Sequence, residues 1–248
     1  LTVSILPTVL DAQRRGRRAL EELQVNQLGQ LTRSLDARVE SAFEGIGGLA
    51  RAPYALVPGD PGDAARLQQL QALNPDPTTG MLLVDPSATV TNGTLLQDDI
   101  VGTRLTRPGL GAALSSGRGT VLPVAPGVTS SSATLGYVIP ITAGDGGIRG
   151  AFVFETGIGA DSPFTQEVAE LRRGRTGQFS FVDSHGIVVA SSDAVTIRRP
   201  YAEPSLLRLP SGFHRAGDRV AALETVPSVG WSAIFTQDSA EFEGGLGR

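Results

Sequence analysis

Gln178-Phe-Ser-Phe-Val-Asp-Ser-His-Gly-Ile-Val-Val-Ala-Ser191 reads as two strands around a tight turn. Residues 178–182 and 187–191 are rich in β-branched and aromatic side chains. Asp183-Ser184-His185-Gly186 supplies the small polar residues and the glycine that a short hairpin connection needs. A matching stretch stands 98 residues upstream. There Val84-Asp85-Pro86-Ser87 follows apolar Met81–Leu83 and precedes Thr89–Thr91, so it takes the same place in an earlier hairpin.

Three further strands are predicted after each hairpin. The first set is Gly119–Val124, Thr134–Ile141 and Gly150–Glu155; the second is Phe213–Arg215, Arg219–Val226 and Trp231–Thr236. Gly119-Thr-Val answers Gly212-Phe-His, Tyr137–Ile141 answers Val220–Leu223, and Ala151–Phe154 answers Ser232–Phe235. Short helices are predicted over Ala64–Leu73 with Asp63 as cap, over Pro108–Ser115, and over Ser162–Arg173. A five-strand antiparallel unit built twice is therefore expected. The connection between second and third strands is shorter in the second unit, which should enclose the smaller cavity.

Ahead of the repeat, Leu28, Leu31, Leu35, Val39, Ala42, Ile46 and Leu49 fall at steps of 3, 4, 4, 3, 4 and 3. This is one apolar stripe on a helix, close to a coiled-coil period, with Gln27, Gln30, Arg33, Asp36, Arg38 and Glu40 opposite. Continued back through Arg14, the helix would be roughly 35 residues, or about 50 Å. Gly45, Gly47 and Gly48 are expected to loosen its end, and Ala52–Asp63, rich in Pro and Gly, to close it. A stripe of this kind serves a rod that pairs with a second copy, and it serves equally a helix packed on its own domain. Leu1–Leu10 is too short and too interrupted to span a bilayer, which needs about 20 residues. It could be the stub of a transmembrane or signal segment.

The 248 residues suffice for one large domain or two small ones. At 40% hydrophobic and 19% charged the chain is globular. Net charge is −4, and no basic block extends beyond Arg14–Arg18, which argues against nucleic acid as a partner. All 21 basic residues are Arg, and the absence of Cys excludes disulfides, thiolate metal sites and a cysteine nucleophile.

The order of these features resembles a double Cache sensor domain, the tandem PAS-like region of bacterial transmembrane receptors. The resemblance is carried by the long helix, Leu83-Val84-Asp85, Gly119 and Thr134-Leu-Gly-Tyr-Val-Ile-Pro-Ile-Thr142. It continues through Gly150-Ala-Phe-Val-Phe-Glu155, the Phe181–Ser192 hairpin and Gly230-Trp231. It implies an α+β fold: a signalling helix over residues 1–52, a membrane-distal, ligand-binding Cache module over 53–158 and a membrane-proximal one over 159–239. Residues 240–248 would lead to a transmembrane helix. It implies an extracytoplasmic region of a membrane-tethered receptor, with a small-molecule ligand and a candidate homodimer through the helix. The output domain, a histidine kinase, diguanylate cyclase or phosphodiesterase, or chemoreceptor module, would lie elsewhere. No cofactor is implied. The candidate ligand-binding residues are Arg104, Arg107, Arg118, Ser131, Thr134, Tyr137, Phe152 and Glu155.

Some relatives grip amino acids through an Arg-x-Arg-Pro-Trp-Tyr motif before the third strand and an acid ending the fifth. Here the run is Leu105-Thr-Arg-Pro-Gly-Leu110, with Leu105 in place of the first Arg and Gly109 and Leu110 in place of the aromatic pair. Only Glu155 sits where the amine-binding acid would be, and without the first Arg and the aromatic pair an amino-acid ligand of that kind is not expected.

Other motifs carry less. Asp183, Ser184 and His185 are too close in one turn to act as a triad. His185 and His214, the only histidines, lack metal-ligand spacing. Asp98 and Asp99 fall short of a calcium loop, and Asn92-Gly93-Thr94 is both a sequon and a turn pair. No nucleophile elbow or metal motif marks a hydrolase. The competing reading is a structural or protein-binding ectodomain, whose distal pocket would be filled by its own side chains.

Overall fold

In a computed structural model of the chain, residues 5–51, 56–73, 80–95, 100–128, 133–159 and 162–244 are described. Helix α1 runs over Ile5–Arg51, longer at both ends than its apolar stripe predicts. Pro7 lies in its first turn, where a missing N–H leaves no bond unmade. Gly45, Gly47 and Gly48 do not end it, because glycine lowers helix propensity without removing a backbone donor. From the stripe, Leu28, Leu35 and Val39 are buried and Leu31 is half-buried, while Gln30, Arg33 and Glu40 opposite are exposed. The side chains of Ala42, Ile46 and Leu49 lie outside the described residues. No helix among the described residues is long and apolar enough to cross a membrane.

The chain divides into two compact units, residues 37–162 and residues 1–36 with 163–248. The first contains α2 (Asp63–Leu73), β1 (Gly80–Val84), β2 (Val90–Gly93), α3 (Leu110–Ser116), β3 (Thr120–Pro126), β4 (Ala133–Thr142) and β5 (Ile148–Gly157). Its sheet is antiparallel with order β2-β1-β5-β4-β3. Asp63 is not a simple cap for α2. Its buried carboxylate accepts from the backbone N–H groups of Val57 and Asp60, both at 3.2 Å, and so ties down the preceding turn.

Strand alternation gives this sheet two apolar faces. Leu82, Val84, Val138, Ala151 and Val153 meet Leu105, Leu110, Ala113 and Leu114 of the connection between β2 and β3. Met81, Leu83, Ile139 and Phe152 meet Leu56 and the α2 residues Leu67 and Leu70. The connection therefore covers one face and α2 the other.

The second unit contains α4 (Pro163–Ala169), β6 (Gln178–Val182), β7 (Val188–Ser191), β8 (Gly212–Ala216), β9 (Arg219–Val226), β10 (Trp231–Asp238) and α5 (Ser239–Gly244). Its sheet order, β7-β6-β10-β9-β8, repeats the first. Residues of α1 bind here: Arg17 pairs with Glu243 and Glu21 with Arg215, both at 3.5 Å, and Asp36 accepts from the Ser228 N–H at 2.8 Å.

The repeat extends to single hydrogen bonds. Asp85 Oδ1 accepts from the N–H groups of Ser87 and Thr89, and Asp183 Oδ1 from those of His185 and Ile187. The residue closing each turn has positive φ, Ala88 at 66° and Gly186 at 79°. Thr94 Oγ1 accepts from Met81 N, and Ser192 Oγ from Phe179 N. Beyond the hairpins the offset becomes 96. The Leu105 N–H donates to Ala88 and that of Tyr201 to Gly186, both at 2.8 Å, while the carbonyls of Arg107 and Glu203 accept from Leu110 and Leu206.

Candidate functional site

On the connection-covered face of the first sheet, Arg107, Thr134 and Glu155 form one buried cluster. The loop ahead of α3 carries Arg107, β4 carries Thr134 and β5 carries Glu155. The Arg107 Nη1 donates to Thr134 Oγ1 at 3.1 Å and to Glu155 Oε1 in a short ion pair. Nη2 donates to the carbonyls of Pro123 at 3.0 Å and Thr134 at 3.1 Å. The second Glu155 oxygen accepts from the Val128 N–H at 2.9 Å. Two sequence features make room for this. The β3–β4 register shifts between Leu122 and Ala125, where Pro123 lies, and Gly136 leaves space that a Cβ would contest with Arg107 Nη1 at 3.3 Å. Burial pulls the guanidinium's pKa down, opposed by the adjacent Glu155 charge. The Arg107 side chain is 3% exposed and Glu155 fully buried.

The other candidate residues lie elsewhere. Tyr137 and Phe152 are on the α2-covered face. Tyr137 sits opposite Phe154 with their rings edge-on at 6.1 Å, and Phe152 is in the core with Leu83 and Ile139. Burial pushes the Tyr137 phenol up to about 12. Strand alternation thus separates these two aromatics from the Arg107 cluster. Arg104 and Arg118 are exposed, Arg104 in an isolated bridge to Thr89. Leu105 is buried in the core. Ser131 lies outside the described residues, as do Ser130, Asp98 and Asp99.

His185 is exposed at its turn, its backbone held by Asp183. His214 donates Nε2–H to the Pro210 carbonyl at 2.7 Å. Asn92-Gly93 is not a turn but the end of β2, and the Thr94 hydroxyl beside it donates to Gln71 at 2.8 Å.

The second module contains a polar site that the candidate residues do not include. A cavity of about 260 Å³ is lined by Ser180, Arg199, Tyr201, Glu203, Arg219 and Thr236, among others. Arg219 Nη1 forms a short ion pair with Glu203, and Nη2 donates to Thr236 Oγ1 at 2.8 Å. Burial, then the Glu203 charge, push the Tyr201 phenol's pKa up against the effect of Arg219.

The two polar sites occupy equivalent positions. Glu155 pairs with Gly80 and Gly136, and Thr236 with Gln178 and Ala221. Thr134 stands opposite Gly157, and Arg219 opposite Asp238. Arg107 and Glu203 match through the hydrogen bonds of their connections. Three places that hold Arg, Thr and Glu in the first module hold Glu, Arg and Thr in the second. Each set is bonded within itself. The 96-residue offset applied to Leu105 and Arg107 leads to Tyr201 and Glu203, a signal present in the sequence.

No protein-family model matches the sequence, and no curated protein does. Solved structures match the fold. The ligand-binding domain of Mlp24, determined with asparagine, has a TM-score of 0.69 at 17% identity over 94% of this chain and 99% of that one. The corresponding domain of the Pseudomonas aeruginosa amino acid chemoreceptor PctC, in complex with GABA, gives 0.69 at 19% identity over 88% and 99%. The sensor domain of the V. cholerae histidine kinase DctB gives 0.58 at 16% identity over 91% and 99%. The chain therefore has the double Cache-type fold of these receptor domains: two five-strand antiparallel modules with a long N-terminal helix.

Proposed function

We propose that this chain is the extracytoplasmic small-molecule sensing region of a membrane-tethered bacterial receptor, with the ligand in the first module. The supporting observation is the fold likeness over about nine-tenths or more of both lengths to ligand-binding and sensor domains of chemoreceptors and a histidine kinase. In this reading the fragment is not catalytic, and any enzymatic output belongs to another part of the receptor. Residues 53–158 would act as the membrane-distal module and 159–239 as the proximal one. Signalling would then be a ligand-dependent shift between two arrangements of paired α1 helices. Ligand contributes to that shift only its difference in affinity for the two states.

Two neighbours carry amino acids or an amino-acid relative in their structures. Here the acid at the end of β5 already accepts from Arg107, and Leu105 is in the core. A ligand gripped by ammonium and carboxylate as a free amino acid is therefore not proposed. The same Arg107 cluster favours the second reading, a protein-binding ectodomain, since it fills polar space on the connection-covered face with the protein's own side chains.

A thermal-shift screen against carboxylates, amines, amino acids, purines and sugars tests the sensor reading. A native-state ligand at a hundredfold excess over its dissociation constant adds about 2.7 kcal/mol to apparent stability. A shift from one class is expected. If no class shifts the transition, and bulky substitutions between the first module's sheet and its covering connection leave the intact receptor's output unchanged, the sensor reading fails.

A further inference from the structure

We propose that the second module has a binding site of its own, for a small organic carboxylate, in the cavity walled by Arg199, Tyr201 and Arg219. It is independent of whether the first module holds a ligand.

The two modules differ most where they correspond most closely. In the first, the Arg–Thr–Glu set is sealed: the Arg107 side chain is 3% exposed, and Thr134 and Glu155 are 0% exposed. In the second, the side chains of Arg219 and Glu203 are 28% and 32% exposed, and both line the cavity. Leu105, part of the first core, is replaced at the equivalent position by Tyr201, which packs against the second core and also lines the cavity, its hydroxyl making no hydrogen bond among the described residues. The equivalent of Thr103 is Arg199, exposed, on the cavity wall, and in no ion pair among the described residues. An apolar plug and a neutral residue have thus become a phenol and a guanidinium beside an open cavity.

The charge balance sets the ligand class. The lining holds two guanidiniums, Arg199 and Arg219, and one acid, Glu203; Arg219 is charge-balanced by Glu203 and by Asp238 just outside the lining, which leaves Arg199 as the cation in no ion pair among the described residues. Arg219 uses Nη1 and Nη2 once each, which leaves a second N–H on each; its Nε–H has no hydrogen-bond partner but is buried, as is that of Arg107 in the sealed first set. Asp238 lies 3.9 Å from the Arg219 Nε, too far for a hydrogen bond. A guanidinium with uncommitted N–H groups suits the two oxygens of a carboxylate. The Tyr201 phenol, kept protonated by its surroundings, adds a neutral donor. At about 260 Å³ the cavity suits a compact metabolite, below the roughly 300–1,000 Å³ of drug-sized sites.

The experiment is isothermal titration calorimetry of the chain with sodium acetate, lactate, pyruvate and succinate, against chloride and sulfate at matched ionic strength. Saturable binding of at least one carboxylate is expected. Arg199→Gln, at an exposed position that leaves no partner behind, should weaken it at least about tenfold. Ala202→Trp, which fills the cavity from its wall, should abolish it, and Arg208→Gln, on the same connection, should leave it unchanged. Circular dichroism confirms that each variant is folded. Binding of none of the carboxylates overturns the proposal. Equal binding of sulfate overturns the carboxylate assignment. Carboxylate binding indifferent to both Arg199→Gln and Ala202→Trp also overturns the site, while leaving the sensing role of the first module standing.

Discussion

Arg107 places four of its five N–H groups on acceptors of its own module, and Glu155 is its counter-charge. A pair this buried adds little over apolar residues of similar size, but breaking it strands a charge. Glu155→Gln should therefore lose about 3–5 kcal/mol in urea unfolding. Arg107→Met combined with Glu155→Leu should recover most of that. A Glu155→Gln loss below about 1 kcal/mol would mean that water reaches the guanidinium after all. Both residues were legible in the sequence as site candidates. Their pairing was not, because it depends on the β3 register shift and on Gly136 lying beneath the guanidinium. Tyr137 shows the same boundary. Alternation put Tyr137, Ile139 and Ile141 on one side of β4, and the structure agrees for Ile139 and Ile141, which share the α2-side cluster. Which side would receive the connection depends on packing between elements that one strand's pattern does not encode.

Among the elements, the two hairpins were the most legible, because their turn chemistry is local. Each Asp accepts from the N–H groups two and four residues on. Asp85→Ala and Asp183→Ala should each cost about 1–2 kcal/mol. For Asp85, desolvation works to raise the pKa, but bonds from Ser87 and Thr89 outweigh it and leave the carboxyl below its ordinary range. A lowered folded-state pKa stabilises above the unfolded value and loses that contribution as pH falls through the folded one. The stability gap between wild type and Asp85→Asn should therefore narrow as a denaturation series is taken into acid below about pH 4. A gap that stayed constant would show that the carboxylate is not ionised in the turn. Gly150 makes a sharper demand on β5. Its φ is +143°, and a Cβ there would lie 2.0 Å from the Val84 carbonyl oxygen of the neighbouring strand. Gly150→Ala should lose more than about 2 kcal/mol, visible as a lower urea midpoint. The sequence placed this glycine at the start of its strand. It could not show that a partner carbonyl closes over it.

Composition makes the whole molecule a clean subject for alkaline titration. With no Cys and no Lys, only its three tyrosines have ordinary side-chain pKa values between pH 8 and 12. Tyr137 belongs to residues 37–162 and Tyr201 to the other unit. Both phenols are raised above the ordinary value of 10.0, Tyr137 to about 12. An acid whose folded pKa is raised holds its proton in the native state after the unfolded chain has released it. Stability is then full below about pH 10 and falls as pH rises, levelling for Tyr137 only near its folded value. For Tyr137 alone the fall should reach roughly 1–2 kcal/mol between pH 11 and 12. Urea unfolding at pH 9, 10, 11 and 11.5 measures it. Tyr137→Phe and Tyr201→Phe should each flatten part of the decline. If the units unfold together, either substitution flattens the decline of one shared transition. If they unfold separately, each substitution corrects only the transition of its own unit, and two midpoints separate as pH rises. A wild-type curve flat through pH 11 would mean that both phenols ionise as freely in the folded protein as in the unfolded chain, and that the environments assigned to them are wrong.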